Sequence, residues 1–367
     1  MSDEDWGELE DEGGEEEELA LSEPSAVLAP KEERLLSFEF KGDAREYFRV
    51  WIVNLCLTLL TFGVFSAWAK VRKKRYLYSH TVLDGSPFQY LGKPIPILKG
   101  RLVAVVLAAA WYFVTHFEAR YVWVLLITAV LLTPWIVVRS AAFNARYSAF
   151  RNMTFHFSGT YGSFVGEVIP GLFITALSCG FGYAWLRARF TRYMVSRTSF
   201  GSVRGVFGRK GEHFVRAYLA NGLTLGVFIA VAFAILNPLS MGHHRPNAKA
   251  FEALTIVTYA AYFVGFVYLK ARVTNTIWNG TRLGSLHFEC RLSFRRLLWI
   301  YVSNSLAIAA TAGLLIPWAV MRVARYRAAS FQVWAEGSLM EFEGSDTSNV
   351  RAAGAEVGEF FDLDVAL

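Results

Sequence analysis

Cysteine is scarce in these 367 residues: Cys56, Cys179 and Cys290 are the only three. Two fall inside apolar stretches, and their spacing offers neither a disulfide framework nor a cysteine-ligated zinc or redox centre. Acidic residues are scarce through most of the chain. Residues 1–33 hold fourteen Asp/Glu against Lys31, and 336–367 hold eight against Arg351, which leaves nine acidic and 35 basic residues in 34–335. A net charge of +6 therefore hides a basic body between two acidic tails. The first thirty residues lack both a basic n-region and an apolar h-region, so no cleaved signal peptide is expected, and the acidic leader reads as a solvated, disordered tail. There is no Walker A sequence, no Rossmann fingerprint after a strand, no HExxH and no G-x-S-x-G elbow. With no nucleophile and base to pair, the chain is not expected to be an enzyme, and neither cofactor nor metal is expected. His116 with Glu118, and His243 with His244, read as turn residues rather than as metal ligands.

Apolar residues, by contrast, make up 54% of the chain and aromatic ones 16%, a composition of multi-span membrane proteins. Apolar windows near spanning length fall at roughly 50–68, 102–117, 121–138, 164–186, 214–236, 253–270 and 297–320. The second and third are joined only by residues 116–120 and predict a tight helical hairpin over about 101–139. The fifth and sixth predict another over about 214–271, turning around Asn237-Pro238 and His243–Pro246. Gly222-x3-Gly226 and the alanines at 104 and 108 read as sites of close helix packing.

The remaining three windows repeat one pattern. Gly63, Trp68, Arg72, Arg75 and Tyr76 recur with identical spacing as Gly180, Trp185, Arg189, Arg192 and Tyr193, and again as Gly313, Trp318, Arg322, Arg325 and Tyr326. A hydroxyl residue stands two positions before each Gly, at Thr61, Ser178 and Thr311, and Asn54, Gly171 or Asn304 stands fourteen before each Trp. The order is repeat, hairpin, repeat, hairpin, repeat, with repeats over about 38–92, 155–208 and 286–344. Alternating stretches at 38–42, 154–159 and 286–290, and strand-turn pieces at 81–92, 198–208 and 331–344, predict short β-strands at the membrane surface. The expected fold is an all-α polytopic membrane protein of about seven embedded helices with these strands added: an acidic tail over 1–33, a membrane domain over 34–335 and a second tail over 336–367.

Two rules pull the topology apart. Basic clusters at 70–75, 139–151, 187–210, 270–296 and 322–327 should all face the cytoplasm, which requires each repeat to enter and leave on one face. About twenty apolar residues, however, is the length of one full crossing, which favours seven spans and inverted repeats of the kind transporters use. The seven-span arrangement is the expectation taken here.

The run Asn54 to Tyr76, followed by Thr81–Gly85, Phe88 and Gly92, resembles the YjgN-type family of bacterial inner-membrane proteins over about residues 36–345. That resemblance implies a multi-pass inner-membrane protein whose activity is unassigned, and it carries over no functional residues.

The Gly-Trp-Arg-Arg-Tyr motif has a structural reading, in which Trp and Tyr seek the headgroup layer and Arg snorkels to phosphate. It also has a binding reading, in which the Arg pairs grip an anionic ligand or lipid headgroup bidentately. Asn54, Thr58, Thr61, Glu167, Asn304 and Thr311 are candidates for a solute path, because polar groups in hydrocarbon need a partner or a cavity. Expected partners are membrane lipids with anionic headgroups and no nucleic acid. The leading functional expectation is transport or permeation of an anionic or amphiphilic solute. The alternative is a membrane-shaping or lipid-organising protein with three re-entrant hairpins.

Overall fold

The computed structural model describes residues 33–336 apart from 118 and 242–247. The acidic tails, Glu118, His243 and His244 lie outside the described residues.

The strands are three to six residues long, too short to stand alone, and they occur as hairpins. These are β3 (Thr81–Leu83) with β4 (Ser86–Tyr90), β5 (Ser148–Phe150) with β6 (Met153–Phe157), β7 (Thr198–Phe200) with β8 (Val203–Phe207), and β9 (Thr281–Leu283) with β10 (Leu286–Cys290). Asp84-Gly85 and Arg151-Asn152 link two of them with both residues at positive φ, the turn backbone whose twist matches paired strands. Successive hairpins pair with one another antiparallel, β2 (Phe38–Phe40) adds to β3, and β11 (Phe331–Glu336) adds to β10. β1 (Glu33–Leu36), separated from β2 only by Ser37, pairs with β11 from Glu33↔Glu336 to Leu36↔Val333. Residues 33–40 thus bond β11 through their first half and β3 through their second, which bends the 11-stranded sheet into a nearly closed barrel. An all-antiparallel ring needs an even number of segments, and counting 33–40 once gives ten.

Alternation along the strands sends one side chain in two inward. Leu36, Leu83, Phe150, Phe200, Leu286 and Val333 are buried together, with Phe38, Phe88, Phe155, Phe288 and Phe331 packed against them. Each such apolar side chain contributes about 2 kcal/mol on burial. The barrel is therefore a packed core, and no single hairpin could supply it.

Between hairpins the chain leaves the barrel five times as a pair of helices, called arms here. Arm 1 is α1 (Ala44–Leu60) and α2 (Ser66–Ser79), arm 2 α3 (Pro94–Phe117) and α4 (Val122–Tyr147), and arm 3 α5 (Tyr161–Leu177) and α6 (Tyr183–Arg197). Arm 4 is α7 (Glu212–Met241) and α8 (Ala248–Trp278), and arm 5 α9 (Phe294–Ala310) and α10 (Ile316–Ala329). Because the other end of every hairpin is a tight turn, all five arms rise from the same rim of the barrel. Neighbouring helices pack in chain order around a ring, and α10 closes it against α1.

The expected fold class is corrected by this architecture. Instead of an all-α protein of about seven embedded helices, the described residues form ten α-helices, four of them long and apolar enough to cross a membrane, on an 11-stranded sheet. The physical reason lies at the motif glycines. Phe62 and Gly63, Cys179 and Gly180, and Ala312 and Gly313 all have positive φ, with the glycines at +90°, +95° and +92°. Two successive left-handed residues turn the chain back on itself, so each window read as one span is two short helices. At about 1.5 Å per residue, α1, α5 and α9, of 17 residues each, reach about 25 Å and cannot clear a hydrocarbon core about 30 Å thick. The helices of arms 2 and 4, 24 to 31 residues long, reach about 36–46 Å and can. The expected close packing at Gly222 and Gly226 is also absent, since both face open space; helices α7 and α8 approach instead where Gly265 meets Asn221.

Candidate functional site: an arginine tier above the barrel rim

The motif residues divide their work along each short arm. At the tip, the Thr61 hydroxyl accepts from the Phe65 N–H at 2.9 Å, Ser178 accepts from Gly182 at 2.7 Å and Thr311 accepts from Leu315 at 3.2 Å. Each satisfies a free donor at the start of the returning helix. Around these caps the tips are bare and apolar, with Phe62 99%, Leu177 89% and Phe181 80% exposed.

At the barrel end the motif tyrosine ties the returning helix to the start of the outgoing one. The Tyr326 hydroxyl accepts from the Ser293 N–H at 2.8 Å, and Tyr193 donates to the Thr160 carbonyl at 3.2 Å. Tyr76 accepts from the Asp43 N–H and lies 3.0 Å from the Glu46 carboxylate. Burial pushes the Tyr76 hydroxyl up to about 12, while the Glu46 and Arg45 N–H groups hold the Asp43 carboxylate below its ordinary range. Arg75 donates to the Gly92 carbonyl at 3.2 Å, joining arm 1 to arm 2, and Arg325 donates to the Gly42 carbonyl at 2.8 Å, joining arm 5 to arm 1. Arg192 is exposed.

Between tip and rim lies the first motif arginine. Arg322 donates to Asn304 at 3.0 Å, and Arg72 lies 3.4 Å from Asn54; both asparagines are buried. In arm 3 Gly171 replaces the asparagine and its backbone abuts Leu186. Arg189 lies over the half-buried Trp185 at 4.4 Å and Arg322 over Trp318 at 5.2 Å, whereas Arg72 lies over Phe65 at 5.3 Å and Trp68 packs toward α3.

Arms 2 and 4 hold the same position, which the threefold motif does not reveal. Counting back nine residues from the first residue of β3, β5, β7, β9 and β11 gives Arg72, Arg139, Arg189, Arg272 and Arg322. Counting back thirteen gives Trp68, Trp135, Trp185, Tyr268 and Trp318. Arg139 lies 5.9 Å from the Trp135 ring and Arg272 5.7 Å from that of Tyr268. The signal was present in the sequence as aromatic-x3-Arg, but the long arms lack the tip glycine that made the others recognisable. Nine residues of helix place this tier about 13 Å above the rim. In α4 the segment from Val122 to Val138 is uncharged, so Arg139 of the tier is the first charge that follows its apolar run.

The residues expected to line a solute path have other partners. Thr58 donates to the Asn54 carbonyl at 2.6 Å, and Thr61 and Thr311 donate to Leu57 and Ala307 at 2.7 Å, each within its own helix. Glu167 accepts from Arg197 at 2.6 Å in a half-exposed ion pair near the rim. Two grooves open at the tier. One, of about 570 Å³, runs between α1 and α2 beside Arg49, Arg72 and Arg75. The other, of about 710 Å³, lies between α7, α8 and the loop after β10, beside Arg209, Arg216, Arg272 and Arg291. No cluster of His, Cys, Asp and Glu able to hold a metal occurs among the described residues.

Comparison with known proteins finds relatives of the chain. A family model described as "Bacterial protein of unknown function (DUF898)" matches residues 35–360. The Inner membrane protein YjgN of Salmonella typhimurium is 22% identical over 370 residues, covering 86% of this chain and 92% of its own. That of Escherichia coli K12 is 41% identical over 54 residues, 15% of this chain and 14% of its own. No solved structure matches.

Proposed function

The chain belongs to the DUF898 family of bacterial proteins of unknown function, and we propose that this multi-pass inner-membrane protein organises the bilayer from one face. The observation that carries the reading is that both ends of every arm are strands of one barrel. Arms 2 and 4 cross and anchor the molecule. Arms 1, 3 and 5 enter and return on the barrel side, and their tips reach about 10 Å beyond the arginine tier, within one leaflet. Three apolar wedges on a basic ring would spread that leaflet while the tier holds anionic headgroups. The bonds made by Asn54, Thr58, Thr61, Glu167, Asn304 and Thr311 support assigning them to arm structure rather than to a solute path.

Cysteine-accessibility mapping in intact cells tests the topology, on a background lacking the native cysteines. Positions 45 and 79, 160 and 196, and 293 and 329 are expected to be shielded from an impermeant reagent outside and labelled once the cytoplasm is opened. Labelling of any pair from opposite sides would overturn the re-entrant reading. Reconstitution tests the activity: the protein should shift vesicles toward smaller radii, and Phe62→Asp, Phe181→Asp and Leu314→Asp together should abolish the shift. Solute flux without any change in vesicle shape would return transport to first place.

A further inference from the structure

The two grooves occupy one structural position in different arms. Arg49 follows the end of β2 by nine residues, and Arg216 follows the end of β8 by nine. Arg72 and Arg272 precede their next strands by nine. In each groove the outgoing and the returning helix therefore present one arginine apiece at the tier. The corresponding outgoing residues of arms 3 and 5, Gly166 and Trp299, cannot do this.

The groove of arm 4 is the more developed. Arg209, Arg216, Arg272 and Arg291 face a single lining carboxylate, Glu289, which Arg291 already engages. Arg216 sits 3.5 Å from Glu212 in an exposed pair of little strength. Among the described residues, neither Arg209 nor Arg272 has a carboxylate within ion-pairing distance. The site is also held in shape. Asn275 donates to the Leu292 carbonyl at 3.0 Å and accepts from its N–H at 2.9 Å, which fixes the loop bearing Arg291. Tyr268 supports Arg272 from below. Toward the membrane the α7 stripe through Arg216 and Ala220 continues at helical spacing into Leu223 and Val227, 71% and 59% exposed. A basic pocket at headgroup level thus opens onto an apolar track.

We propose that this groove is a binding site for a phosphoryl oxyanion, gripped by Arg216 and Arg272, with the acyl chain of a phosphomonoester lipid lying along the α7 track. The chemistry is that of guanidinium and phosphate, whose planar fork and oxygens match bidentately. The lipid assignment rests on the reading that the tier lies at the headgroup layer, whereas phosphate binding by the groove does not.

The test uses the full chain in two arms. In nanodiscs of phosphatidylcholine, phosphatidate is titrated and its affinity measured; in lipid-free detergent, inorganic phosphate is titrated against the thermal midpoint. Arg216→Gln with Arg272→Gln is expected to weaken phosphatidate binding at least tenfold, and Arg272→Lys to weaken it less, because charge remains and the fork is lost. Arg204→Gln, which removes one positive charge from the exposed face of β8, should leave binding unchanged. Circular dichroism of each variant checks folding. Phosphatidate binding with weak or no response to inorganic phosphate supports a lipid-borne ligand. Tight binding of inorganic phosphate, also lost in the double variant, supports the oxyanion site and overturns its lipid assignment. No binding in either arm, or equal weakening by Arg204→Gln, overturns the site altogether. Opposite-sided labelling in the topology experiment would refute the re-entrant arms while leaving the phosphate titration in detergent interpretable.

Discussion

Replacing Phe62 by Asp separates a protruding loop in water from a wedge in oil. Phe62 is 99% exposed to whatever surrounds arm 1. In water such a substitution changes stability by no more than about 0.5 kcal/mol. The tip lies about 10 Å past the arginine tier, which on the re-entrant reading is most of the way to the bilayer centre. There an aspartate costs about 2.5–3.5 kcal/mol and the lost phenylalanine a few tenths more, so about 3 kcal/mol is the expected penalty. By the factor of ten per 1.4 kcal/mol, that moves the balance between inserted and withdrawn tip by roughly a hundredfold. An environment-sensitive fluorophore at Leu60→Cys, on a background without native cysteines, reports the tip. In the parent it should be quenched by nitroxide placed deep in the acyl chains and not by aqueous iodide. With Phe62→Asp the pattern should reverse at neutral pH and return toward the parent as acid protonates the new carboxyl. A tip open to iodide in the parent, or indifferent to the substitution, would refute placement of the arms in hydrocarbon.

Phe150→Ala empties the middle of the barrel and should cost about 3–5 kcal/mol, read as a fall in the thermal midpoint in detergent. Tyr326→Phe removes the hydroxyl that both accepts from and donates to the main chain at Ser293, and should cost about 1–2 kcal/mol in the same measurement. Burial pushes the Cys290 thiol up to about 11, so the folded state keeps a proton that the unfolded chain releases near 9. Its contribution should be complete below pH 9 and decline between about 9 and 11, whereas Cys290→Ala should flatten that part of the stability profile.

What was legible in the sequence followed the length over which a pattern persists. Arms 2 and 4 carry apolar runs long enough to be read as spans, and the strand stretches at 38–42, 154–159 and 286–290 coincide with β2, β6 and β10. The strand-turn pieces at 81–92, 198–208 and 331–344 likewise cover β3 with β4, β7 with β8, and β11, whereas the three-residue strands Ser148–Phe150 and Thr281–Leu283 are too short to have a period, and only pairing across the ring gives them a partner. The motif glycines were visible, but their positive φ at the centre of each window was not, and that single conformational fact converts a span into a hairpin. The motif arginines and tyrosines were found in three arms. The tier needed all five, and Arg139 and Arg272 emerged only when counted from strands that the structure supplies. The grooves required pairing with Arg49 and Arg216, which lie outside the repeated motif and have no local signature.

The pairing of Glu33–Leu36 with Val333–Glu336 also sets the order in which the molecule can be assembled. During synthesis the segment 33–40 emerges early, and one of its two partners is nearly three hundred residues away. All five arms are therefore made while the ring is still open, with unpaired strand edges until β11 arrives. The ring can close only once β11 has been made. The same adjacency makes the described ring permutable: a short linker from Glu336 to Glu33, with new termini cut at Gly201-Ser202, would preserve each strand pairing while changing which arm is inserted first.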